Sequence, residues 1–253
     1  MFRYGILNNN GTQKRTTMIP SLESSSLGLS FLVSAYLTVL TISPPNAPPQ
    51  RDHRIQDRIS FMTRPAVALF GKTTLLTLSL YHILLVLTFP NPPSALCPHA
   101  RRLDYRFFTW TFYSATCILL LIVGASLRLT AYRQLGPSFT FQLAKPKKLV
   151  TTGLYKYVRH PSYPACVMVV SANLAILLRW RASVACWWPI SWWIANDQMA
   201  LVVEVVVLTV HLLSVFYAIG LRVSDEEKML KDAFGKEWQD YNARTKRYIP
   251  GVI

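Results

Sequence analysis

The sequence predicts an all-α integral membrane protein with about five transmembrane helices, a cytosolic connector before the fourth helix and an amphipathic helix at the C-terminus. Hydrophobic residues make up 51% of the 253 residues, and the mean hydropathy is +0.26. Several apolar runs reach the roughly 20 residues that a helix needs to cross a bilayer. Most charged residues lie between these runs or in the tail. The chain is therefore predicted to be embedded in a membrane.

The chain divides into three parts. Residues 1–25 are polar and are predicted to be a flexible lumenal N-terminus with a glycosylation sequon at Asn10. Residues 26–129 hold three predicted spans, and residues 130–253 hold two more together with the functional core. Because the first apolar run is long and follows a long polar lead, we expect no cleaved signal peptide. The predicted spans are residues 26–42, 66–89, 107–129, 163–178 and 200–219.

The net charge of +15 has two explanations, a nucleic-acid partner or an anionic membrane surface. The basic residues lie in the loops between apolar runs, which is the pattern described by the positive-inside rule. Counted on alternating sides of five spans, Lys and Arg number eighteen on one side and eight on the other. We therefore expect a multi-pass protein in a lipid bilayer, with no nucleic-acid partner, a lumenal N-terminus and a cytosolic C-terminus.

The four cysteines are spread singly along the chain, without a CxxC pair or a Cys/His cluster. Cys117 and Cys166 lie within apolar runs, whereas Cys97 and Cys186 lie between them. Scattered single cysteines do not indicate a disulfide framework or a zinc site. The sequence therefore supports neither a disulfide framework nor a zinc site, and no metal is expected.

Two features near the fifth span leave alternatives open. Glu204 and His211 are seven residues apart and share a helical face. Ionisable groups inside a span usually face the protein interior, so these two either contact substrate or bond to the interface or a neighbouring helix. The four tryptophans within residues 187–193 are typical of an interfacial segment. That segment is either an aromatic belt alone or a route by which a lipid enters.

The stretch that we call the RHP segment, residues 149–163, concentrates polar and aromatic groups directly before an apolar run. It holds a turn glycine, Gly153, and the sequence Arg159-His160-Pro161. Pro161 restricts His160 to extended conformations, so a helix cannot run smoothly through it. We predict a short loop that directs Arg159 and His160 into a pocket, with a helix beginning just after. The alternative is a basic, aromatic anchor at the membrane interface.

The tail begins with a second polar pattern, directly beyond the fifth span. Arg222 and Glu226 are four residues apart, so they project from one helical face. Taken alone, this spacing predicts a surface ion pair worth a few tenths of a kcal/mol. Gly235 predicts a break in the helix. An apolar stripe follows the pair at three- and four-residue spacing, at Leu230, Phe234, Trp238 and Tyr241.

Together these two patterns resemble the isoprenylcysteine carboxyl methyltransferases, over about residues 128–251. The same elements recur in a wider superfamily that includes phospholipid N-methyltransferases. The sequence departs from the family at Ala165, where the family usually has glycine, and at Pro164. The first 105 residues match only as generic spans. The resemblance rests on Gly153-x-Tyr155-x-x-Val158-Arg159-His160-Pro161-x-Tyr163 and on Arg222-x-x-x-Glu226-Glu227-x-x-Leu230-x-x-x-Phe234-Gly235-x-x-Trp238-x-x-Tyr241.

The resemblance implies S-adenosylmethionine as the methyl donor and the C-terminal carboxylate of a prenylated cysteine as the acceptor. It also implies the endoplasmic reticulum membrane as the location. Arg222 matches the residue that engages the substrate carboxylate, and Gln142 lies near a further family contact with different spacing. The implied donor contacts are Lys147, Lys148, Leu149, Val150, Tyr155, His160, Pro161, Ser162, Tyr163 and Glu226.

The expected chemistry suits these residue types. A carboxylate with a pKa near 3.5 is already ionised at neutral pH, so the reaction needs no general base. The reaction is then accelerated mainly because the site holds the carboxylate close to the methyl group and excludes bulk water. Two alternatives remain open. A phospholipid amine N-methyltransferase would need a base for its ammonium acceptor, and a non-catalytic membrane scaffold would keep only the fold.

Overall fold

The computed structural model describes residues 3–7, 13–17, 20–50, 54–55, 57–187 and 197–251. Asn10 and most of the tryptophan-rich segment lie outside the described residues. The elements are strands β1 (Arg3–Leu7) and β2 (Gln13–Thr17), followed by helices α1 (Leu22–Thr41), α2 (Pro65–Thr88), α3 (Phe112–Leu135), α4 (Ser162–Leu177), α5 (Asp197–Phe234) and α6 (Lys236–Arg244).

The predicted helical membrane architecture is confirmed. Four helical segments, those of α1, α2, α3 and α5, are long and apolar enough to cross a bilayer. The fourth predicted span corresponds to α4, an apolar helix of 16 residues. The fifth extends well beyond its predicted end, because α5 continues without a break through the start of the charged tail and reaches 38 residues. The prediction of helices alone omitted the antiparallel pair β1–β2 before α1.

Local sequence signals explain where the helices begin and end. The Ser21 hydroxyl accepts a hydrogen bond from the Ser24 backbone N–H at the start of α1, which satisfies one of the unpaired donors there. Thr111 and Ser114 form a reciprocal capping box at the start of α3. Gly235 separates α5 from α6 with φ at +51°, a conformation that costs glycine little. The predicted break at Gly235 is confirmed.

The tightest helix packing joins α3 and α4. At Gly124 of α3, an added Cβ would lie 2.8 Å from the Cβ of Met168 and 3.0 Å from the carbonyl oxygen of Ala165. Only glycine allows this approach, since a methyl group at either distance would force the helices apart. Ala165 is fully buried in the same contact. The close approach is therefore provided by a glycine on α3 and does not need one at position 165.

The cysteines form one disulfide that their spacing did not indicate. Cys97, in the loop after α2, is bonded to Cys186, in the turn after α4, across 89 residues of sequence. Both cysteines belong to the apolar core at this end of the bundle, beside Phe107 and Phe108. Sequence spacing could not indicate this pair, because the folding of α2 and α4 side by side brings the two loops together. Cys117 and Cys166 are free.

This pairing predicts the thiol count of the denatured protein. We expect a maleimide–polyethylene glycol reagent to add two labels without reductant, at Cys117 and Cys166, and four labels after reduction. Gel mobility measures the number added. A Cys97→Ser/Cys186→Ser variant is the control and should add two labels under both conditions. Four labels on the unreduced parent would contradict the assignment.

Candidate functional site

A cavity of about 280 Å³ lies where the two patterns found in the sequence meet. Its wall is built from the loop before α2, the end of α3, the connector and RHP segment, the start of α4, the C-terminal part of α5, and α6. Most side chains in the wall are aromatic or aliphatic, with a few charged groups among them. Such a combination is typical of a ligand site, in which apolar contacts bind and a few polar groups orient the ligand.

The structure brings most of the predicted site residues together in this wall. Lys147 is exposed and does not line the cavity. Pro161 does not line it either, but it lies between two residues that do and directly precedes α4. Gln142 is also outside the wall, with its buried Oε1 lacking a partner among the described residues. The individual binding roles stay predictions. The predicted residues that line the cavity are Lys148, Leu149, Val150, Tyr155, His160, Ser162, Tyr163, Arg222 and Glu226.

The RHP segment is shaped by a glycine and a proline. Gly153 has φ at +64°, and an added Cβ would lie 2.6 Å from the Gln134 side chain. That side chain accepts a hydrogen bond of 2.7 Å from the Leu154 backbone N–H and so ties the segment to the end of α3. Pro161 precedes α4, which begins at Ser162. The predicted loop followed by a helix is confirmed.

His160 joins the RHP segment to α5. Its Nδ1 lies 3.4 Å from Glu226 Oε2, and its Nε2 lies 3.3 Å from Glu227 Oε1. Both nitrogens can donate only in the protonated ring, so the two carboxylates favour the imidazolium. Burial lowers the pKa of His160, but the hydrogen bonds to the two glutamates outweigh it and leave the pKa above its ordinary value. The Tyr163 hydroxyl donates a further hydrogen bond of 2.7 Å to Glu226.

The residues after α6 fold back onto the RHP segment. The backbone N–H of Arg159 donates to the Lys246 carbonyl at 2.8 Å, and that of His160 donates to the Arg247 carbonyl at 3.0 Å. The Arg159 guanidinium donates to Glu227 at 3.2 Å. Arg247 forms an ion pair with the same carboxylate. Although Arg159 lines the cavity as predicted, its described hydrogen bonds hold the tail in place.

Arg222 forms the predicted ion pair with Glu226, at 3.0 Å, but the pair is not a surface one. The Arg222 side chain is only 6% exposed, and it also donates to Asp57, whose side chain is 1% exposed. Next to this contact, Arg58 forms an ion pair of 2.9 Å with Asp225. Sequence reasoning assigned the loop before α2 only a basic charge and missed Asp57. No spacing signal connects two residues 165 positions apart.

Arg128 is a further cation in the wall, and sequence reasoning did not single it out. Its Nη1 donates to the Ser162 hydroxyl at 2.9 Å and to the Ser162 carbonyl at 3.0 Å, and its Nε donates to the Thr41 carbonyl at 3.0 Å. No carboxylate among the described residues pairs with it. The sequence does place Arg128 at the end of an apolar span, and ionisable residues in such positions commonly mark functional sites.

The ionisable residues of the fifth span lie away from this cavity. Glu204 forms an ion pair of 2.6 Å with Arg179 and accepts a hydrogen bond of 3.1 Å from the Trp180 backbone N–H. His211 is exposed on α5. Neither residue lines the cavity, so the structure favours the reading in which they make contacts other than substrate contacts.

The model of the isoprenylcysteine carboxyl methyltransferase (ICMT) family matches residues 117–196, from α3 through the RHP segment and α4. The predicted resemblance to this family is confirmed. The family model ends before α5, so it does not include Arg222 or Glu226.

Several relatives carry the name protein-S-isoprenylcysteine O-methyltransferase. The Schizosaccharomyces pombe protein is 27% identical over 149 residues, covering 56% of this chain and 52% of the relative. The B form from Arabidopsis thaliana is 30% identical over 139 residues, covering 53% and 58%. The mouse protein is 28% identical over 146 residues, covering 56% and 43%. The chain therefore spans about half the length of these relatives.

A solved structure is also similar to this chain, that of a eukaryotic intramembrane Ras methyltransferase of the ICMT type. The match covers 90% of this chain and 75% of that structure, with 19% sequence identity and a TM-score of 0.43.

The raised pKa of His160 predicts how stability depends on pH. The folded protein binds this proton more tightly than the unfolded chain, so the stability gained is complete below pH 6.5 and is lost as the pH rises through the raised value. We expect the Tm of the detergent-solubilised parent to fall more steeply than that of His160→Asn from about pH 6 to about pH 8. His99→Asn, at an exposed loop position, is the control and should behave like the parent. Equal slopes in the parent and His160→Asn would refute the imidazolium assignment.

Proposed function

We propose that this protein transfers a methyl group from S-adenosylmethionine to the C-terminal carboxylate of a prenylated cysteine, in proteins processed at a CaaX terminus. One observation carries the proposal. The buried Arg222 lines a cavity in the same wall as the RHP segment and Glu226. A guanidinium is suited to an acceptor carboxylate, because its planar fork matches the two oxygens. The relatives with this activity support the same reading.

The wall residues fit the methyl donor, which carries an ammonium, a carboxylate, a sulfonium and an adenine ring. Glu226 accepts hydrogen bonds from three described side chains, and a carboxylate has about four acceptor positions, so one position remains for the ammonium. Arg128, with no described carboxylate partner, is placed to receive the donor carboxylate beside Ser162. Tyr155 and Trp238 offer flat apolar surfaces to the adenine ring. When bound, the donor supplies an electrophilic methyl group on its sulfonium.

The chain's own residues then need to orient the acceptor and exclude water. Arg222 positions the acceptor carboxylate, which is already ionised, and no protein group has to remove a proton. Leu149, Val150 and Leu230 keep the wall apolar around it. A reacting pair held at contact distance in such a site gains most of its rate from proximity and orientation.

The membrane fits a prenylated acceptor. Each methylene-sized unit of a prenyl chain that leaves water gains about 0.8 kcal/mol, so the acceptor reaches the enzyme through lipid. The cavity wall includes the C-terminal part of α5, and the membrane-capable part of the same helix exposes apolar side chains, among them Val206, Val210 and Leu213. A substrate that arrives along α5 would have its polar end beside Arg222 while its prenyl chain stays in lipid.

The amine-methylating alternative fits the wall less well. An ammonium acceptor must lose a proton before it attacks, so that reaction needs a general base. Glu226 is the only carboxylate among the described residues of the wall, and it is already bonded to Arg222 and His160. A carboxylate held by two cations is a weak base. This arrangement favours an anionic acceptor.

We place the protein in the endoplasmic reticulum membrane, with its N-terminus lumenal and its C-terminus cytosolic. The disulfide supports this orientation independently of the charge count. Cys97 and Cys186 lie in segments assigned to the lumenal side, and disulfides persist in the oxidising lumen but rarely in the cytosol. The cavity would then face the cytosol, where a soluble methyl donor is supplied.

Substitution of Arg222 tests the acceptor class. We expect Arg222→Ala to lower kcat/KM for a farnesylcysteine acceptor roughly 30- to 150-fold, because losing a charged hydrogen-bond partner costs about 2–3 kcal/mol. Arg222→Lys should recover part of the activity, since an ammonium lacks the paired donors. The assay uses membranes, labelled donor, and farnesylcysteine beside phosphatidylethanolamine.

Donor affinity, measured in the same preparations, serves as the folding control and should change little in either variant. Arg58→Ala, at the exposed neighbouring ion pair, is the matched control and should keep parental turnover. Unchanged farnesylcysteine turnover in Arg222→Ala would overturn the acceptor assignment. Methylation of phosphatidylethanolamine alone would favour the amine-methylating alternative, and a parent that binds no donor would favour the scaffold.

Sealed microsomes test the orientation. Added protease should remove an epitope tag at the C-terminus and spare one at the N-terminus, because only cytosolic segments are accessible. Opening the vesicles with detergent is the control and should expose both tags. Protection of the C-terminal tag with loss of the N-terminal one would reverse the proposed orientation.

A further inference from the structure

Asp57 lies far from the other site residues in sequence but contacts one of them directly. It belongs to the loop before α2, outside the region that the family model matches. Its Oδ2 accepts a hydrogen bond from Arg222 Nη1, and both side chains are almost fully buried. Its Oδ1 has no partner among the described residues, so the described contact of this carboxylate is to Arg222 alone. Because both side chains are buried, the charges of Asp57 and Arg222 interact strongly.

The contacts of Arg222 fix the orientation of its guanidinium. Nε donates to Glu226 at 3.0 Å, and Nη1 donates to Asp57. The other terminal nitrogen, Nη2, donates to no described residue, so its two N–H groups are left for a ligand in the cavity. With only Glu226 as a partner, the guanidinium could rotate and bond that carboxylate through two nitrogens. Asp57 prevents this rotation by holding the opposite side of the fork.

Asp57 also changes the charge that an acceptor meets. Two carboxylates, Asp57 and Glu226, pair with Arg222, and Glu226 also pairs with His160, so Asp57 is the carboxylate whose described pairing is with Arg222 alone. A carboxylate bound to an uncompensated guanidinium would be held tightly, but its oxygen lone pairs would be less available for attack. Partial compensation weakens this ground-state binding and keeps the acceptor nucleophilic. An interaction that is strong only in the ground state lowers KM without raising kcat.

The loop around Asp57 has other attachments, so this residue is not needed to keep the loop in place. The backbone N–H of Arg58 donates to Asp225 at 3.1 Å, and its guanidinium pairs with the same carboxylate. The Ile55 backbone N–H donates to the Leu143 carbonyl at 2.8 Å. The loop is therefore anchored without the contact between Asp57 and Arg222, and the effect of that contact falls on Arg222.

We propose that Asp57 is a positioning residue for the methyl-transfer reaction, which holds Arg222 in one orientation and partly neutralises it so that the acceptor carboxylate stays reactive. This inference rests on the proposed function. It assigns a role in the reaction to the N-terminal half of the chain.

Asp57→Asn is the informative change, because it keeps the size and the acceptor oxygen and removes only the charge. We expect kcat for farnesylcysteine to fall about tenfold and KM to fall about threefold, since a less compensated Arg222 binds the carboxylate more tightly and activates it less. Asp57→Ala should lose more kcat, because the orientation is also lost. A purely structural role would lower activity without lowering KM.

Equilibrium binding supplies a readout that does not depend on turnover. N-acetyl-S-farnesylcysteine should bind Asp57→Asn about threefold more tightly than the parent, whereas its neutral carboxamide should bind both proteins equally. Asp232→Asn is the matched control. It makes the same chemical change at an exposed position of the same helix, outside the cavity wall, so it should leave kcat, KM and both affinities at parental values.

The outcomes separate the two proposals. A parent that methylates farnesylcysteine, together with an Asp57→Asn variant whose kcat and KM equal the parental values, overturns the role of Asp57 and leaves the proposed function intact. A raised KM, or equal tightening of the carboxylate and the carboxamide, also overturns it. A parent that neither binds nor methylates farnesylcysteine overturns the proposed function and this inference with it.

Discussion

The site depends on the His160 imidazolium held between Glu226 and Glu227. These contacts of 3.4 and 3.3 Å join a loop that precedes α4 to a helix that begins after it. They orient Glu226, which in turn binds Arg222, and Glu227, which holds the residues after α6 through Arg247. The protonated ring balances charge between the two carboxylates, alongside the ion pairs that they form with Arg222, Arg159 and Arg247. This charged contact therefore links the cavity wall, the tail and Arg222.

Two of the three arginines in the wall differ in how their charge is balanced. Arg222 is paired with two carboxylates, whereas Arg128 is bonded to carbonyl and hydroxyl oxygens. The proposed reaction takes two anionic groups, one on the donor and one on the acceptor, and so has a use for this difference. Arg128, which has no described carboxylate partner, suits the donor carboxylate, which must only be bound. Arg222, which is paired with two carboxylates, suits the acceptor carboxylate, which must also react.

The opposite end of the bundle is organised by apolar burial and a covalent bond. Phe31 and Phe108 pack against the buried ring of His82, and the Cys97–Cys186 disulfide joins the loops beside them. These contacts join the helices that carry the cavity. In the proposed orientation, the disulfide lies on the oxidising lumenal side and the cavity on the cytosolic side.

The sequence by itself determined several features that depend on neighbouring residues, although it missed the β1–β2 pair. Apolar runs predicted the spans, Pro161 predicted where α4 begins, and Gly235 predicted where α5 ends, because backbone conformation and helix periodicity are local properties. Only the tertiary structure decided the contacts between distant segments. Asp57 against Arg222 and Cys97 against Cys186 depend on how the helices pack, and no spacing along the chain records that packing.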